Sequence, residues 1–259
     1  MIRMSASEYK GGGAAAGVPG LLGALLLVGI LAGCATPQVA PPAPAPVPGK
    51  RVLPSPLLGR PFDVIPAESR LTLLVYRAGA LAMLGHDHLV SCRCLSGTVY
   101  LPGDPLRAGF DLRVAVKGFT VDDPAARAAE HSKDFPPDVP QSAQEATRHN
   151  MLSAALLNAA TYPDITLRAE GLRPSSDGKR GDVDAEVLVG VAGQSRSIAV
   201  PIHYDIRADE IVVTGEFPLK QTDLGLTPFS AAGGALKVRD DMDVRLSLVA
   251  RRAPGVSRR

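Results

Sequence analysis

Aromatic side chains are scarce in this chain of 259 residues, which has no tryptophan, six phenylalanines and five tyrosines. That scarcity leaves little material for an aromatic-lined sugar or cation site. The chain also lacks an excess of basic charge, because 28 Lys and Arg stand against 26 Asp and Glu. Nucleic-acid binding usually needs a clustered basic face, so we expect no nucleic-acid partner.

Motifs of well-known catalytic sites are also missing. The sequence has no nucleophile elbow, phosphate loop or metalloprotease helix. We therefore predict that the protein is not an enzyme and needs no cofactor.

Cysteine is rare, and the first of the three cysteines, Cys34, ends an apolar stretch near the N-terminus. Arg3 and Lys10 lie in a polar start, and the apolar run covers residues 21–32. That run is shorter than the roughly 20 apolar residues of a membrane-spanning helix. It resembles the signal peptide and lipobox of a bacterial lipoprotein. We predict that residues 1–33 are removed and that Cys34 is acylated, with palmitate among its acyl chains. The alternatives are an uncleaved N-terminal anchor and a cysteine that follows the apolar run by chance.

An acylated Cys34 would hold the rest of the chain outside the cytoplasm. Ala35 follows it, where an aspartate would favour retention in the inner membrane. We therefore predict a periplasmic protein that is anchored to the outer membrane, with the inner membrane as the alternative. Without residues 1–33, 26 Lys and Arg oppose 25 Asp and Glu, and residues 253–259 form a short basic tail.

Proline is concentrated in one segment, residues 37–61, where it occupies nine of 25 positions. Such a segment favours extended polyproline II and acts as a semi-rigid spacer with a reach of about 75 Å. We therefore predict a linker over residues 34–61. Residues 62–252 then form one domain, which is long enough to bury a sizeable core.

Within this domain, apolar and polar residues alternate with a period of two. Leu112 and Val114 alternate with Asp111 and Arg113, for example. Similar alternation occurs around residues 165–168, 183–191, 198–207, 211–217 and 244–248. Such runs predict half-buried antiparallel strands.

The middle of the domain breaks this pattern. Residues 122–140 are polar and proline-rich, which predicts a long loop. Residues 142–160 have apolar side chains at helical spacing, with Ser142 and Glu145 as a capping box and Pro163 beyond the end. One helix inserted among about eight strands predicts a mainly β protein: a single antiparallel barrel, closed to remove its edges, with one covering helix.

Four segments of the domain resemble the YceI-like family, also described as polyisoprenoid-binding, with a lipocalin-like barrel. They are residues 62–71, the LGHDH of residues 84–88, residues 151–165 with their YPDI, and residues 221–238. The chain departs from better-studied members in its His-Asp-His and Cys-x-Cys segment and in its acylated N-terminus. These departures concern the ligand more than the fold.

The resemblance implies an elongated barrel whose interior holds a long apolar chain. Eight strands enclose room for one small ligand if the inward side chains are not all large, although the same residues could instead fill a dry core. We expect the mouth near residues 85–88 and 225–229. The candidate ligand contacts are Leu81, Leu84, His86, His88, Leu112, Val114, Phe217 and Phe229.

The remaining cysteines, Cys92 and Cys94, follow two histidines, His86 and His88. Imidazole and thiolate suit zinc or copper, but a straight strand from residue 86 to 94 would span about 26 Å, too far for one ion. A disulfide between strand positions i and i+2 is not expected, because such neighbours lie roughly 6.5–7 Å apart and point in parallel. One alternative is that the cysteines pack as small apolar side chains while Asp87 or a histidine fixes a loop by hydrogen bonds. Another is a catalytic or proton-transfer role for this segment.

Three functional hypotheses follow. The first is a membrane-tethered periplasmic binding protein for an amphiphilic lipid such as a polyisoprenoid. The second is a periplasmic metal-binding or redox-linked protein that uses the four His and Cys residues. The third is an interaction module whose filled barrel serves only as a scaffold.

Overall fold

The structure is a computed structural model, and it describes residues 57–176 and 179–252. The predicted signal peptide, Cys34, most of the linker and the basic tail lie outside these residues, so their boundaries stay predictions. The described residues form strands β1 Arg60–Val64, β2 Arg70–Ala78, β3 His88–Cys92, β4 Leu95–Leu101, β5 Gly109–Ala115, β6 Thr120–Val121, β7 Asp164–Glu170, β8 Leu172–Pro174, β9 Asp182–Val191, β10 Gln194–Ile206, β11 Glu210–Lys220, β12 Ser230–Ala231 and β13 Leu236–Arg252. They also form helices α1 Pro124–Ala129 and α2 Gln141–Leu152.

Eight strands close into an antiparallel barrel in the order β1, β4, β5, β7, β9, β10, β11 and β13. The closing pair is β1 with β13, where Phe62 lies opposite Arg252 and Val64 opposite Ala250. Every strand of the closed barrel has a neighbour on both sides, so no long edge is left exposed. The predicted mainly β, lipocalin-like barrel of about eight strands is confirmed.

Period-two alternation decides which side chains enter the barrel. In β5, Leu112 and Val114 are buried, whereas Asp111 and Arg113 are exposed. The same alternation in β9 buries every second residue from Val183 to Val191. Side chains of successive strand residues point to opposite faces, which explains why the sequence pattern predicted the inner face.

A second group of strands extends the sheet beyond the barrel. β2 pairs with the first part of β13, β3 pairs with β2, and β6 pairs with β3. The loop between β2 and β3 and the helices that follow β6 therefore lie near the start of β13. This end of the barrel carries the candidate site.

The prediction of a loop over residues 122–140 is wrong for residues 124–129, because these residues form α1. Asp123 caps this helix: its carboxylate accepts a hydrogen bond of 2.8 Å from the amide of Ala126. Pro124 occupies the first turn, where its missing N–H costs nothing. The alanine-rich PAARAA segment then supplies high helix propensity. The domain thus has two α-helices among its described residues, where one was predicted.

The predicted boundaries of the second helix are also wrong. α2 ends at Leu152, eight residues before position 160, because the Ser153 hydroxyl donates to the carbonyl of Asn150 and accepts from the amide of Ala155. Such local bonds compete with helix continuation. At the start, Pro140 is the N-cap and makes no side-chain cap, so Ser142 forms no capping box.

Neither α1, α2 nor any other helix within residues 57–176 and 179–252 combines the length and apolar character that crossing a membrane requires.

Candidate functional site

The barrel interior contains a cavity of about 200 Å³. Its walls come from β4, β5, β7, β9, β10, β11 and β13, together with β2, β8 and short connecting segments. They consist almost entirely of aliphatic and aromatic side chains, including Leu71, Leu95, Leu112, Val114, Ile165, Val187, Ile202, Tyr204, Val213, Phe217 and Leu246. Among the described residues of this lining, Tyr204 is the one with a side-chain oxygen or nitrogen. This inner cavity therefore offers an apolar environment.

Several inward side chains are only partly buried, although they point into the barrel. Leu73, Ile165, Leu167, Val213 and Leu246 all line the inner cavity and keep part of their surface accessible. In a close-packed interior such side chains would contact partners on all sides. Medium-sized aliphatic residues do not reach across this barrel, so the interior is hollow.

A second cavity of about 410 Å³ adjoins the inner one at the end where β13 begins. We call it the mouth cavity. Helix α2 covers it with residues that recur at helical spacing, among them Ala143, Thr147 and Asn150. The two cavities share lining residues Leu73, Phe119, Ile165, Val189, Leu224 and Met242. They are therefore two parts of one elongated space.

The mouth cavity differs from the inner one in its polar lining. Positive or protonatable side chains are Arg77, His86, His88 and Lys237. Neutral polar side chains are Thr147, Asn150 and Gln221. No aspartate or glutamate occurs in the lining formed by the described residues. The space is thus apolar inside and polar, with an excess of cationic groups, at its mouth.

His88 is held by a buried carboxylate behind it. Its Nδ1 lies 2.6 Å from Oδ2 of Asp122, while its Nε2 lies 3.4 Å from the Thr147 hydroxyl. Asp122 is fully buried and also accepts bonds from the Leu89 amide at 2.8 Å and from Arg127 Nη1 at 2.5 Å. This arrangement orients the imidazole, with Nδ1 toward Asp122 and Nε2 beside a residue of the mouth lining.

The ionisation of Asp122 follows from these contacts. Burial by itself raises the pKa of its carboxyl, because the charged form loses solvation. The hydrogen bond and charge of His88, the Leu89 amide and the charge of Arg127 lower it by more, and the net pKa lies below the ordinary value. Asp122 is therefore ionised at neutral pH.

Arg127 lies behind the mouth and is completely buried. Besides Asp122, it donates to the carbonyls of Asp87 at 2.7 Å and Pro136 at 2.6 Å. The guanidinium carbon of Arg127 also lies 5.5 Å from the centroid of the Phe135 ring. These bonds tie α1 and the following loop to β3, which fixes the wall that carries His88.

An exposed apolar tip stands beside the mouth, in the loop between β2 and β3. Leu81, Met83 and Leu84 are 39%, 84% and 70% exposed. The Leu81 amide donates to the carbonyl of Ala235 at 2.8 Å, which attaches the tip to the segment before β13. The tip is therefore an ordered part of the mouth rim.

The structure divides the predicted contact residues into three groups. Leu112, Val114 and Phe217 line the inner cavity, and His86, His88 and Phe229 line the mouth cavity. Leu81 and Leu84 line neither cavity and project from the rim. The role of each residue as a ligand contact stays a prediction.

Sequence reasoning missed several residues of this site. Thr147 and Asn150 lie in the predicted helix and were given no role in the site. Their spacing of three residues indicated that they share one face of that helix, which lines the mouth cavity. Gln221 begins the fourth family-like segment, but nothing there indicated a role for its side chain. Asp122 and Arg127 carried no signal, since they come together with the mouth only through tertiary packing.

The prediction against a disulfide is wrong: Cys92 and Cys94 are bonded to each other. β3 ends at Cys92 and β4 begins at Leu95, so the two cysteines flank a turn and are not in one straight strand. The turn brings their Cα atoms to 5.2 Å, within the range for a disulfide.

This bond weakens the metal hypothesis, because a disulfide has no thiolate to offer as a ligand. Among residues 57–176 and 179–252, no group of three His, Cys, Asp or Glu side chains is arranged to hold a metal ion. His86 and His88 do lie close, with ring centroids 6.4 Å apart. The geometry does not favour the metal-binding alternative.

Solved structures with a similar fold come from several bacteria. BcnA of Burkholderia cenocepacia has a TM-score of 0.52 and 14% identity, over 72% of this chain and 99% of that one. A polyisoprenoid binding domain of Saccharophagus degradans, implicated in plant cell wall breakdown, has a TM-score of 0.48 and 14% identity. The match covers 74% of this chain and 98% of that one. The Campylobacter jejuni YceI protein has a TM-score of 0.44 and 13% identity, over 64% of this chain and 85% of that one. At 14% identity the similarity to BcnA concerns the fold alone.

No curated protein sequence matches this chain. The family model of the YceI-like domain matches residues 66–250. This match covers well over half of the chain, and it runs from just before β2 to near the end of β13. The chain therefore belongs to the YceI-like domain family.

Proposed function

We propose that this protein is a non-catalytic binding protein for an amphiphilic lipid, such as a polyisoprenoid, that is tethered to the periplasmic side of the outer membrane. The observation that carries the proposal is the hollow, apolar barrel interior that continues into a polar mouth. An apolar tail fits the inner cavity and a polar head group fits the mouth. Membership in the YceI-like family supports the same assignment.

Transfer of the tail from water into the barrel supplies the binding free energy. Each buried methylene contributes about 0.8 kcal/mol before entropy costs. Among the described residues, the inner cavity has no charged lining side chain that would have to lose its solvation. A long hydrocarbon chain is therefore the ligand type that gains most from this space.

Lipid exchange with a membrane is supported by two features. Cys34, in the lipobox-like segment, would supply the anchor. At the mouth rim, Leu81, Met83 and Leu84 expose apolar surface that can contact the acyl region of a bilayer. A tether and an apolar rim together would bring the mouth to the membrane that supplies or receives the ligand.

Native mass spectrometry tests the binding proposal. Full-length protein that is purified in a mild detergent should carry an additional mass equal to that of a long-chain amphiphile. It should also take up the neutral apolar dye N-phenyl-1-naphthylamine and release it when geranylgeraniol is added. Absence of both bound lipid and displaceable dye would contradict the proposal.

Metabolic labelling tests the tether. Labelled palmitate should enter the wild-type protein and not Cys34→Ser, and only the wild type should sediment with outer membranes. Equal labelling of both proteins, or a wild type that stays in the soluble fraction, would rule out the anchor.

The rim requires its own measurement. The double change Met83→Glu and Leu84→Glu should slow the transfer of a fluorescent farnesyl analogue from protein to vesicles, with unchanged equilibrium affinity. Leu188→Glu is the matched control, because Leu188 is 48% exposed on the outer face of β9, a strand that carries none of the three rim residues. Equal transfer rates in all three proteins would show that the rim does not assist exchange.

A further inference from the structure

The mouth cavity has an unbalanced set of charges. Its lining includes Arg77, Lys237 and the imidazoles of His86 and His88, and no carboxylate among the described residues. Outside the lining, Asp87 forms an ion pair with Arg77 at 3.8 Å, and Asp122 is shared by His88 and Arg127. The lining of the mouth therefore favours negative charge.

Arg77 is oriented by the turn that follows β2. Its Nη1 donates to the Gly85 carbonyl at 2.7 Å, and its amide donates to Asp87 Oδ1 at 2.8 Å. The same Asp87 oxygen lies 3.8 Å from Arg77 Nε, so the two side chains form an ion pair without a hydrogen bond. The guanidinium thus keeps donor capacity for a ligand in the mouth.

Lys237 approaches from the neighbouring strand. In the pairing of β13 with β2 it lies opposite Ala78, the residue after Arg77. Within the described ranges no carboxylate pairs with its ammonium group. The backbone position of Lys237 is on the other face of the strand pair from Arg77, which lies opposite Val238. Both side chains nevertheless line the mouth cavity, one at the end of β2 and the other at the start of β13.

His88 adds a directed donor or acceptor. The carboxylate behind it, Asp122, is matched by the buried guanidinium of Arg127 at 2.5 Å. The Asp122–Arg127 pair thus presents no net negative charge toward the cavity. His88 offers its Nε2 at the Thr147 side of the mouth without introducing a repelling acid.

We propose that the mouth binds an anionic head group, a phosphate monoester or a carboxylate, with Arg77 and Lys237 as its donors. This inference rests on the proposed function, because the head group belongs to the amphiphile whose tail occupies the inner cavity. Charge-assisted hydrogen bonds to an anion are about twice as strong as neutral ones. A cationic head group would be repelled, and a neutral one would gain only ordinary hydrogen bonds.

Displacement of N-phenyl-1-naphthylamine from the full-length protein provides the test. The probes are geranylgeranyl phosphate and geranylgeraniol, which share a tail and differ in the head group. The phosphate should displace the dye at a concentration at least about tenfold lower than the alcohol, a difference of about 1.4 kcal/mol. This advantage should shrink at high ionic strength, because salt screens exposed charges.

Variants locate the effect. Arg77→Gln and Lys237→Gln should each reduce the advantage of the phosphate and leave the displacement by geranylgeraniol unchanged. Arg113→Gln removes the same charge from the outer face of β5. It should change neither the advantage of the phosphate nor the displacement by geranylgeraniol. A loss that is equal in all three variants would overturn the proposal, since net charge alone would then explain it.

The outcomes separate this inference from the proposed function. If neither isoprenoid displaces the dye, lipid binding itself fails and the head-group site falls with it. If both displace it at equal concentrations, lipid binding stands and the anionic head group is excluded. Inorganic phosphate should weaken the advantage only in large excess; equal potency with the phosphate lipid would identify a free-anion site and overturn the proposal.

Discussion

His88 Nδ1 and Asp122 Oδ2 lie 2.6 Å apart, although 34 residues separate them in sequence. This contact joins the first residue of β3 to the residue after β6, and Arg127 of α1 completes it from the opposite side of the carboxylate. One buried carboxylate therefore orients an imidazole of the mouth and anchors a helix. Local stability and the geometry of the site depend on the same group.

Asp122→Asn should destabilise the domain strongly. The change leaves the buried Arg127 without its counter-charge, and loss of one partner of a buried pair typically costs about 3–5 kcal/mol. Urea denaturation at neutral pH measures the loss. Asp138→Asn, which changes an exposed carboxylate, is the control and should have little effect.

The pH dependence of this difference has a definite sign. The folded-state pKa of Asp122 is lowered, so its stabilising contribution is fully present above the unfolded-state value of about 3.9. That contribution is lost as the pH falls through the lower folded-state pKa. The stability gap between wild type and Asp122→Asn should therefore narrow in acid; a gap that widens would contradict the assigned ionisation.

Ile165→Trp should block the barrel where the inner and mouth cavities meet, because Ile165 lines both. We expect at least about a tenfold loss of affinity for geranylgeraniol, with stability changed by less than about 1 kcal/mol, since the added atoms fill empty space. The chain has no native tryptophan, so the emission of the new indole reports its apolar surroundings directly.

Leu188→Trp is the matched control for that variant. Leu188 lies between two inward-facing residues of β9, Val187 and Val189, but its own side chain faces outward. Its indole should emit as a solvent-exposed group, and binding should stay at the wild-type level. Unchanged binding in Ile165→Trp as well would show that the ligand does not pass this point.

Gly79→Ala should disturb the mouth rim. Gly79 has a φ of 93°, and a Cβ atom there would lie 2.3 Å from the Ala235 carbonyl oxygen. The strain should cost roughly 1–3 kcal/mol of stability and should detach the tip from the segment before β13. Gly103→Ala serves as a control, because a Cβ there meets nothing within 4 Å. Equal stability of the two variants would refute the close approach of Gly79 to Ala235.

Removal of the Cys92–Cys94 disulfide should have a modest effect. The bond closes a very short loop, for which the chain-entropy model gives a contribution of only about 1–2 kcal/mol. Cys92→Ala with Cys94→Ala should therefore fold and bind geranylgeraniol normally, with a slightly lower urea midpoint. A reductant should lower the midpoint of the wild type and not that of the variant; failure of the variant to fold would show that the bond is essential.

The cysteine pair illustrates the limit of sequence reasoning about local geometry. The expectation against a disulfide assumed that Cys92 and Cys94 lie two positions apart in one strand, where the geometry does not suit such a bond. The chain instead turns at Arg93, between Cys92 and Leu95. No glycine or proline marks that turn, so the pattern of side chains could not reveal it.

Side-chain alternation alone determined the strands and their inner face, because a period of two places Leu112 and Val114 on one side of a strand regardless of its neighbours. Only the tertiary structure decided that the interior is hollow, because the space left inside depends on how far facing side chains reach across a barrel of this size. It also decided that Arg77, His88 and Lys237 share one mouth. These residues belong to three paired strands, and strand pairing rather than sequence distance brings them to one cavity.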